Sequence, residues 1–114
     1  FSTAGVIDGA AEGGTDLLSE AVATVRAAGG LFVADEVQAG FGRTGSAFWG
    51  FQRHGIVPDM VSMGKGMGNG YPVAGLALRH DLATAFGTDT RYFNTFGGNA
   101  VAATVAAAND QNRG

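Results

Sequence analysis

The sequence predicts an α/β fold, a small sheet layered with helices. Three observations carry that expectation. Apolar residues recur at helical spacing between Leu17 and Val25. Two short continuous apolar runs, at 31–34 and 60–63, have the length and flanks of buried strands. A glycine-rich turn then leads into an alanine-rich segment at the end of the chain. No internal repeat and no linker breaks this alternation, so residues 1–114 read as one unit.

Gly9 to Gly14 reads as a small loop. Thr15 is placed to cap a helix, with Asp16 in its first turn and Leu17, Leu18, Ala21, Val22 and Val25 as its apolar stripe. Gly29-Gly30 stops that helix. Leu31 to Ala34 then reads as a strand buried on both faces, running into Asp35-Glu36-Val37-Gln38. Two acids therefore stand at the carboxyl end of a strand, where open α/β sheets hold their ligands. Gly40 to Gly45 is a loop, and Phe48-Trp49-Gly50-Phe51 an aromatic patch on a short helix, suited to a core or a subunit contact. Pro58-Asp59 precedes a second strand, Met60 to Met63, whose end carries Lys65 within the glycine-rich segment Gly64 to Gly70. Pro72 to Leu78 reads as a third strand and His80 to Phe86 as a short helix. Tyr92 to Asn99 is the turn before the final helix, Ala100 to Ala108.

Composition narrows the function. The 114 residues are 46% apolar and 15% charged, where about a quarter charged is usual for a soluble domain. With Phe1 as the first residue and apolar text nearly to both ends, the expectation is an excised piece whose surface largely faces other protein. Net charge is −3 with no basic run, which argues against nucleic acid as a partner. The chain has no cysteine, so disulfides, thiolate zinc sites and cysteine catalysis are excluded within it. His54 and His80 show no metal-ligand spacing and read as surface residues; no metal is expected. No apolar stretch is long enough to span a bilayer and no signal peptide opens the chain; a cytoplasmic location is the expectation. Six of the seven basic residues are arginine, leaving Lys65 as the one lysine.

Lys65 and Asp35 form the most informative constellation, each at the end of a buried strand. A partly desolvated carboxylate needs a cation or a donor to stay charged. A desolvated lysine on a glycine loop becomes an amine nucleophile suited to Schiff-base chemistry. Pyridoxal phosphate asks for such a pair, a lysine for its aldehyde and a carboxylate for its pyridinium nitrogen. The same spacing also suits an ordinary buried ion pair. Gly40-x-Gly42-x-x-Gly45 matches the dinucleotide fingerprint formally, with Asp59 near the position of a ribose acid. Its context is wrong: Arg43-Thr44 and Phe48-Trp49 stand where small residues should be, and a plain turn is the better reading. The Lys65 loop lacks the order of a phosphate-binding P-loop. In Asn94-Thr95-Phe96-Gly97-Gly98-Asn99, glycine amides beside a hydroxyl suit a phosphate, while Thr95 or Asn99 could equally cap the helix that follows.

Three segments in order resemble the class III pyridoxal-phosphate-dependent aminotransferases of fold-type I: LFVADEVQAGFGRTG (31–45), VPDMVSMGKGMGNGYP (57–72) and FNTFGGN (93–99). The stretches around Phe48-Trp49 and Asn94 look most like the branch of alanine–glyoxylate aminotransferase and ethanolamine-phosphate phospho-lyase. The resemblance implies part of a large cofactor-binding domain, a mostly parallel sheet layered with helices, without the small domain. It implies pyridoxal 5'-phosphate held by Lys65, with Lys65 also moving protons. Asp35 would pair with the ring nitrogen, Val37 would pack on the ring and Gln38 would bond near its phenolic oxygen. Thr95 would bind the phosphate of a neighbouring subunit's cofactor, which implies a homodimer, and Arg43 would be structural. The implied activity is amino transfer from an amine or amino acid to a 2-oxo acid or aldehyde. Elimination of phosphate from a phosphorylated amino alcohol is the alternative, and an inactive remnant the third reading. The polar end from Asn109 to Gly114 departs from the family pattern.

Overall fold

The computed structural model describes residues 17–111; the Gly9–Gly14 loop and the Thr15–Asp16 helix start lie outside the described residues. Helix α1 spans Leu17–Ala27 and buries Leu18 and Val22, one turn apart on its inner face. Gly29 ends it at φ +80°, a left-handed conformation that costs glycine little. The Gly30 N–H then reaches back to the Val25 carbonyl at 2.9 Å.

Strand β1 is Val33–Asp35, later than the apolar run predicts. Leu31 and Phe32 fall outside the ladder because Phe32 is engaged elsewhere: its N–H donates to Asp59 Oδ2 at 2.8 Å and its carbonyl accepts the Asp59 N–H at 2.9 Å. Strand β2, Met60–Met63, runs parallel to β1 with Val33 opposite Met60 and Asp35 opposite Ser62. Strand β3 begins at Gly75 rather than Pro72 and runs to Leu78, antiparallel to β2. Pro72 has no N–H to give a ladder, and Val73 packs instead on the turn that follows β2. The antiparallel return has a simple cause. Between Met63 and Gly75 the only element is α2, a single turn over Lys65–Gly68, too little for the dozen or more residues of a parallel crossover. The described sheet is therefore β1-β2-β3, one parallel pair and one antiparallel pair.

Leu18, Val22, Phe32, Ala34 and Ile56 form the core between α1 and the sheet, with Phe51 and Val61 packed against it. Burial on both faces, expected for the strands, holds for Ala34 alone; the rest of β1 and all of β2 are half-buried. Leu76 on β3 is 57% exposed. Helix α3 spans His80–Asp89, longer than its apolar residues suggest, and α4 spans Ala100–Gln111. Asn99 caps α4, its Oδ1 accepting the Ala102 N–H at 2.9 Å. The polar end is used as well: Asn109 donates its amide to the carbonyls of Gly66 (2.8 Å) and Met67 (3.1 Å), tying α4 to α2.

Asp59 joins three elements. Its carboxylate, 5% exposed, accepts from the Phe32 N–H, from Arg26 of α1 (3.1 Å) and from Arg79 just after β3 (2.7 Å). The Phe32 N–H first, then the Arg79 guanidinium, hold its carboxyl at about 2, against the opposing pull of burial. With all these donors engaged inside the fold, Asp59 is a structural acid and not a ribose acid.

Candidate active site

Because β1 and β2 are parallel, their carboxyl ends share one edge of the sheet. Asp35 ends β1, and Lys65 opens α2 just past the end of β2. Asp35 Oδ1 accepts the Val37 N–H at 3.1 Å and the Ser62 hydroxyl at 3.2 Å. Those two donors fix the direction of the carboxylate. Lys65 Nζ donates to Gln38 Oε1 at 2.9 Å, and among the described residues no carboxylate lies within ion-pair reach of it. An ordinary Asp35–Lys65 ion pair, one of the two arrangements the spacing allows, does not form. The lysine is also exposed instead of desolvated. It opens onto a hollow of about 420 Å³ shared with Arg43 and the 69–73 loop.

The glycines around Lys65 are set by close approach. A Cβ on Gly64 would lie 3.2 Å from Val37, one on Gly66 3.0 Å from Phe41, and one on Gly68 2.6 Å from Val73. A segment that shows no helical pattern in sequence therefore closes into one helical turn, ended by Asn69 at φ +45°. Phe41 itself sits at φ +63°, which costs a non-glycine residue of order 1–2 kcal/mol. Its ring meets those of Phe48 and Trp49 edge-on at 5.6 and 5.1 Å. The aromatic patch is thus a packed cluster beside the lysine turn.

Arg43 is exposed and makes no hydrogen bond or ion pair among the described residues, so the structural role implied for it finds no partner there. Thr95 lies in an exposed turn, apart from the Asp35–Gln38–Lys65 group and without a hydrogen bond of its own among the described residues. The cap it was weighed against belongs to Asn99. His54 is half-buried, its carbonyl accepting from Ser19 of α1 at 3.1 Å. Sequence reasoning missed Ser62, Phe41 and the role of Glu36. Ser62 could have been found by aligning the two apolar runs in parallel, which sets it opposite Asp35.

Residues 8–109 match the family described as aminotransferase class-III. The chain belongs to that family. As a class-III aminotransferase sequence it is 50% identical over 91 residues to human mitochondrial alanine–glyoxylate aminotransferase 2, covering 80% of this chain and 18% of that protein. It is 49% identical over 89 residues to ethanolamine-phosphate phospho-lyase homolog 1 of Caenorhabditis elegans, covering 76% and 19%. The chain therefore spans less than a fifth of the length of those relatives. In structure it resembles an Arthrobacter phospholyase in complex with phosphoethanolamine (TM-score 0.78, 42% identity, 86% of this chain and 24% of that one). It also resembles the taurine:2-oxoglutarate aminotransferase of Bifidobacterium kashiwanohense in complex with PLP and glutamate (TM-score 0.73, 30% identity, 80% and 21%). This class-III segment is thus an α/β fragment of the fold-type I transaminases.

Proposed function

We propose that these residues are the cofactor-lysine segment of the large domain of a pyridoxal-phosphate-dependent aminotransferase. The carrying observation is the shared sheet edge, where Asp35 and Lys65 stand at the ends of two paired parallel strands with Gln38 on the lysine. The donor set fits the group. Asp35 is an acceptor oriented by Val37 and Ser62, Lys65 is an exposed amine with no carboxylate partner among the described residues, and a hollow of about 420 Å³ opens beside it.

When bound, pyridoxal phosphate supplies an aldehyde that condenses with amines and a ring that takes up the electron pair of a broken substrate bond. Lys65 Nζ would hold it and then carry the proton between substrate carbon and ring substituent. Asp35, aimed by its two donors, would accept a hydrogen bond from the protonated ring nitrogen. Val37 would cover a ring face, and Gln38, which holds the lysine now, would turn its amide to the phenolic oxygen. Thr95, exposed and without a hydrogen bond among the described residues, would serve the phosphate of a partner subunit in a homodimer. The substrates would be an amine or amino acid and a 2-oxo acid or aldehyde. The likeness to two phospho-lyases supports a second reading, phosphate elimination from a phosphorylated amino alcohol on the same residues.

Borohydride reduction after incubation with pyridoxal phosphate, followed by peptide mapping, tests the reading. With one lysine in these residues, a stoichiometric adduct on Lys65 that is lost in Asp35→Ala is expected. Labelling confined to other amines of a folded sample would overturn it. Keto-acid-dependent turnover against phosphate release by the full polypeptide separates the two reactions; the isolated segment is expected to show neither.

A further inference from the structure

Glu36 is the most buried large side chain described, with 0% exposure, although it directly follows Asp35. Strand alternation turns it to the face opposite Asp35. There its two oxygens accept the backbone N–H groups of Gly50 (Oε2, 2.8 Å) and Phe51 (Oε1, 2.9 Å), at the start of the 3-10 helix Gly50–His54. Its own backbone is held too: its N–H donates to the Ser62 carbonyl at 2.9 Å and its carbonyl accepts from Gly40 at 3.0 Å. A buried polar side chain without partners is costly, and two short hydrogen bonds from helix-end amides offset that cost. The result is a closed loop from 36 to 51, clamped at its neck by one side chain.

What the loop carries gives the clamp its meaning. Val37 lies against Gly64, Gln38 bonds Lys65 Nζ, and the Phe41 ring lies against Gly66. All three touch the lysine turn, and Phe41 does so from a left-handed backbone that the surrounding packing must sustain. Gly40 has no room to shift, since a Cβ there would lie 2.8 Å from Trp49 and 2.9 Å from the Glu36 carbonyl. We infer that Glu36 is a positioning residue: by clamping the start of the 3-10 helix it holds Val37, Gln38 and Phe41 against the Lys65 turn and so sets cofactor affinity. This rests on the proposed role of Lys65, and the wild-type borohydride label checks that role separately.

The test uses the full polypeptide with three substitutions. Glu36→Gln keeps the shape but presents an amide where one backbone N–H needs an acceptor. Val22→Ala removes buried core volume on α1 and leaves the Glu36 hydrogen bonds and the residues against the lysine turn in place. Phe41→Leu leaves the clamp intact and loosens the contact on Gly66. The readouts are the dissociation constant for pyridoxal phosphate, by absorbance titration of the apoprotein, and the melting temperature of the apoprotein. Glu36→Gln is expected to weaken cofactor binding by about tenfold or more, the scale seen when groups supporting a site's ligands are removed. Val22→Ala, at a similar loss of melting temperature, is expected to leave affinity within about twofold. If both variants show the same affinity at matched melting temperature, the clamp is only structural and the inference fails. Should Glu36→Gln not fold, Phe41→Leu decides: weakened binding with little change in melting temperature supports the inference, and unchanged binding overturns it. Loss of the wild-type Lys65 label would remove the functional reading itself, a result distinct from either.

Discussion

Asp59 allows the electrostatics of the fold to be tested against pH. Its pKa stands at about 2 against an ordinary 3.8, because the Phe32 N–H, Arg79 and Arg26 all favour the charged form. A carboxyl depressed in the folded state contributes fully above the unfolded value and loses that contribution as pH falls through the folded one. The window therefore runs from about pH 4 down to about pH 2. At ~1.4 kcal/mol per pH unit the difference is worth ~2.5 kcal/mol before screening. The Arg26 and Arg79 side chains are 39% and 51% exposed, so water weakens both pairs. About 1–2 kcal/mol is then a fair size for the contribution. Asp59→Asn keeps the shape and removes the charge. Urea denaturation of the full polypeptide should show the variant less stable by about that amount at neutral pH, with the gap closing between about pH 4 and pH 2. A gap that persists undiminished toward pH 2 would show that packing, not charge, sets the loss. No gap at neutral pH would show that solvent screens the staple completely. Either result refutes the reasoning.

Asn99→Ala removes the cap of α4 and should cost about 1 kcal/mol in denaturant titration, with no effect on the Lys65 label. Gly66→Ala forces a Cβ to 3.0 Å from Phe41; weaker retention of pyridoxal phosphate on gel filtration is expected, with helix content by circular dichroism unchanged. Gly40→Ala meets the Trp49 ring and the Glu36 carbonyl together, one of them rigid backbone, so a loss of at least ~1–3 kcal/mol in thermal or urea unfolding is expected. Gly42→Ala, in open space but at φ +75°, should cost only about 1 kcal/mol by the same assay, which separates crowding from backbone strain.

The apolar periods placed α1, β2 and the ends of both strands, and so set Asp35 and Lys65 each at a strand end; the parallel pairing that brings the two to one edge is seen only in the fold. They failed where a polar group overrides the pattern. Leu31 and Phe32 look like strand, yet Asp59, 27 residues beyond Phe32, takes the Phe32 N–H. The Lys65 turn was illegible because four glycines within seven residues carry no period; its shape comes from Val37, Phe41 and Val73 pressing on it from elsewhere in the chain. Thr95 shows the opposite limit. Its segment resembles a family motif, but nothing among the described residues gives the hydroxyl a partner, so the assembled protein is where its role is tested.

Asp35 and Glu36 condense the argument into two adjacent acids. Composition treats them alike, and the strand separates them. One faces the sheet edge with donors that aim it; the other goes to the opposite face, where two backbone amides bond its buried oxygens. The first placement supplies an acceptor for a cationic ring, and the second closes the loop that holds Gln38 and Phe41 against the lysine. Exchanging the two roles would need a one-residue slip of β1, which would carry Ala34 out of the core and set a carboxylate among Leu18, Val22 and Phe32. The register that buries Ala34 is therefore the same register that presents Asp35, so core packing and site geometry are one constraint. A substitution that slips β1 should lose cofactor binding and stability together, whereas Asp35→Asn should lose the first and keep the second. Cofactor titration and urea unfolding of that single variant decide between them.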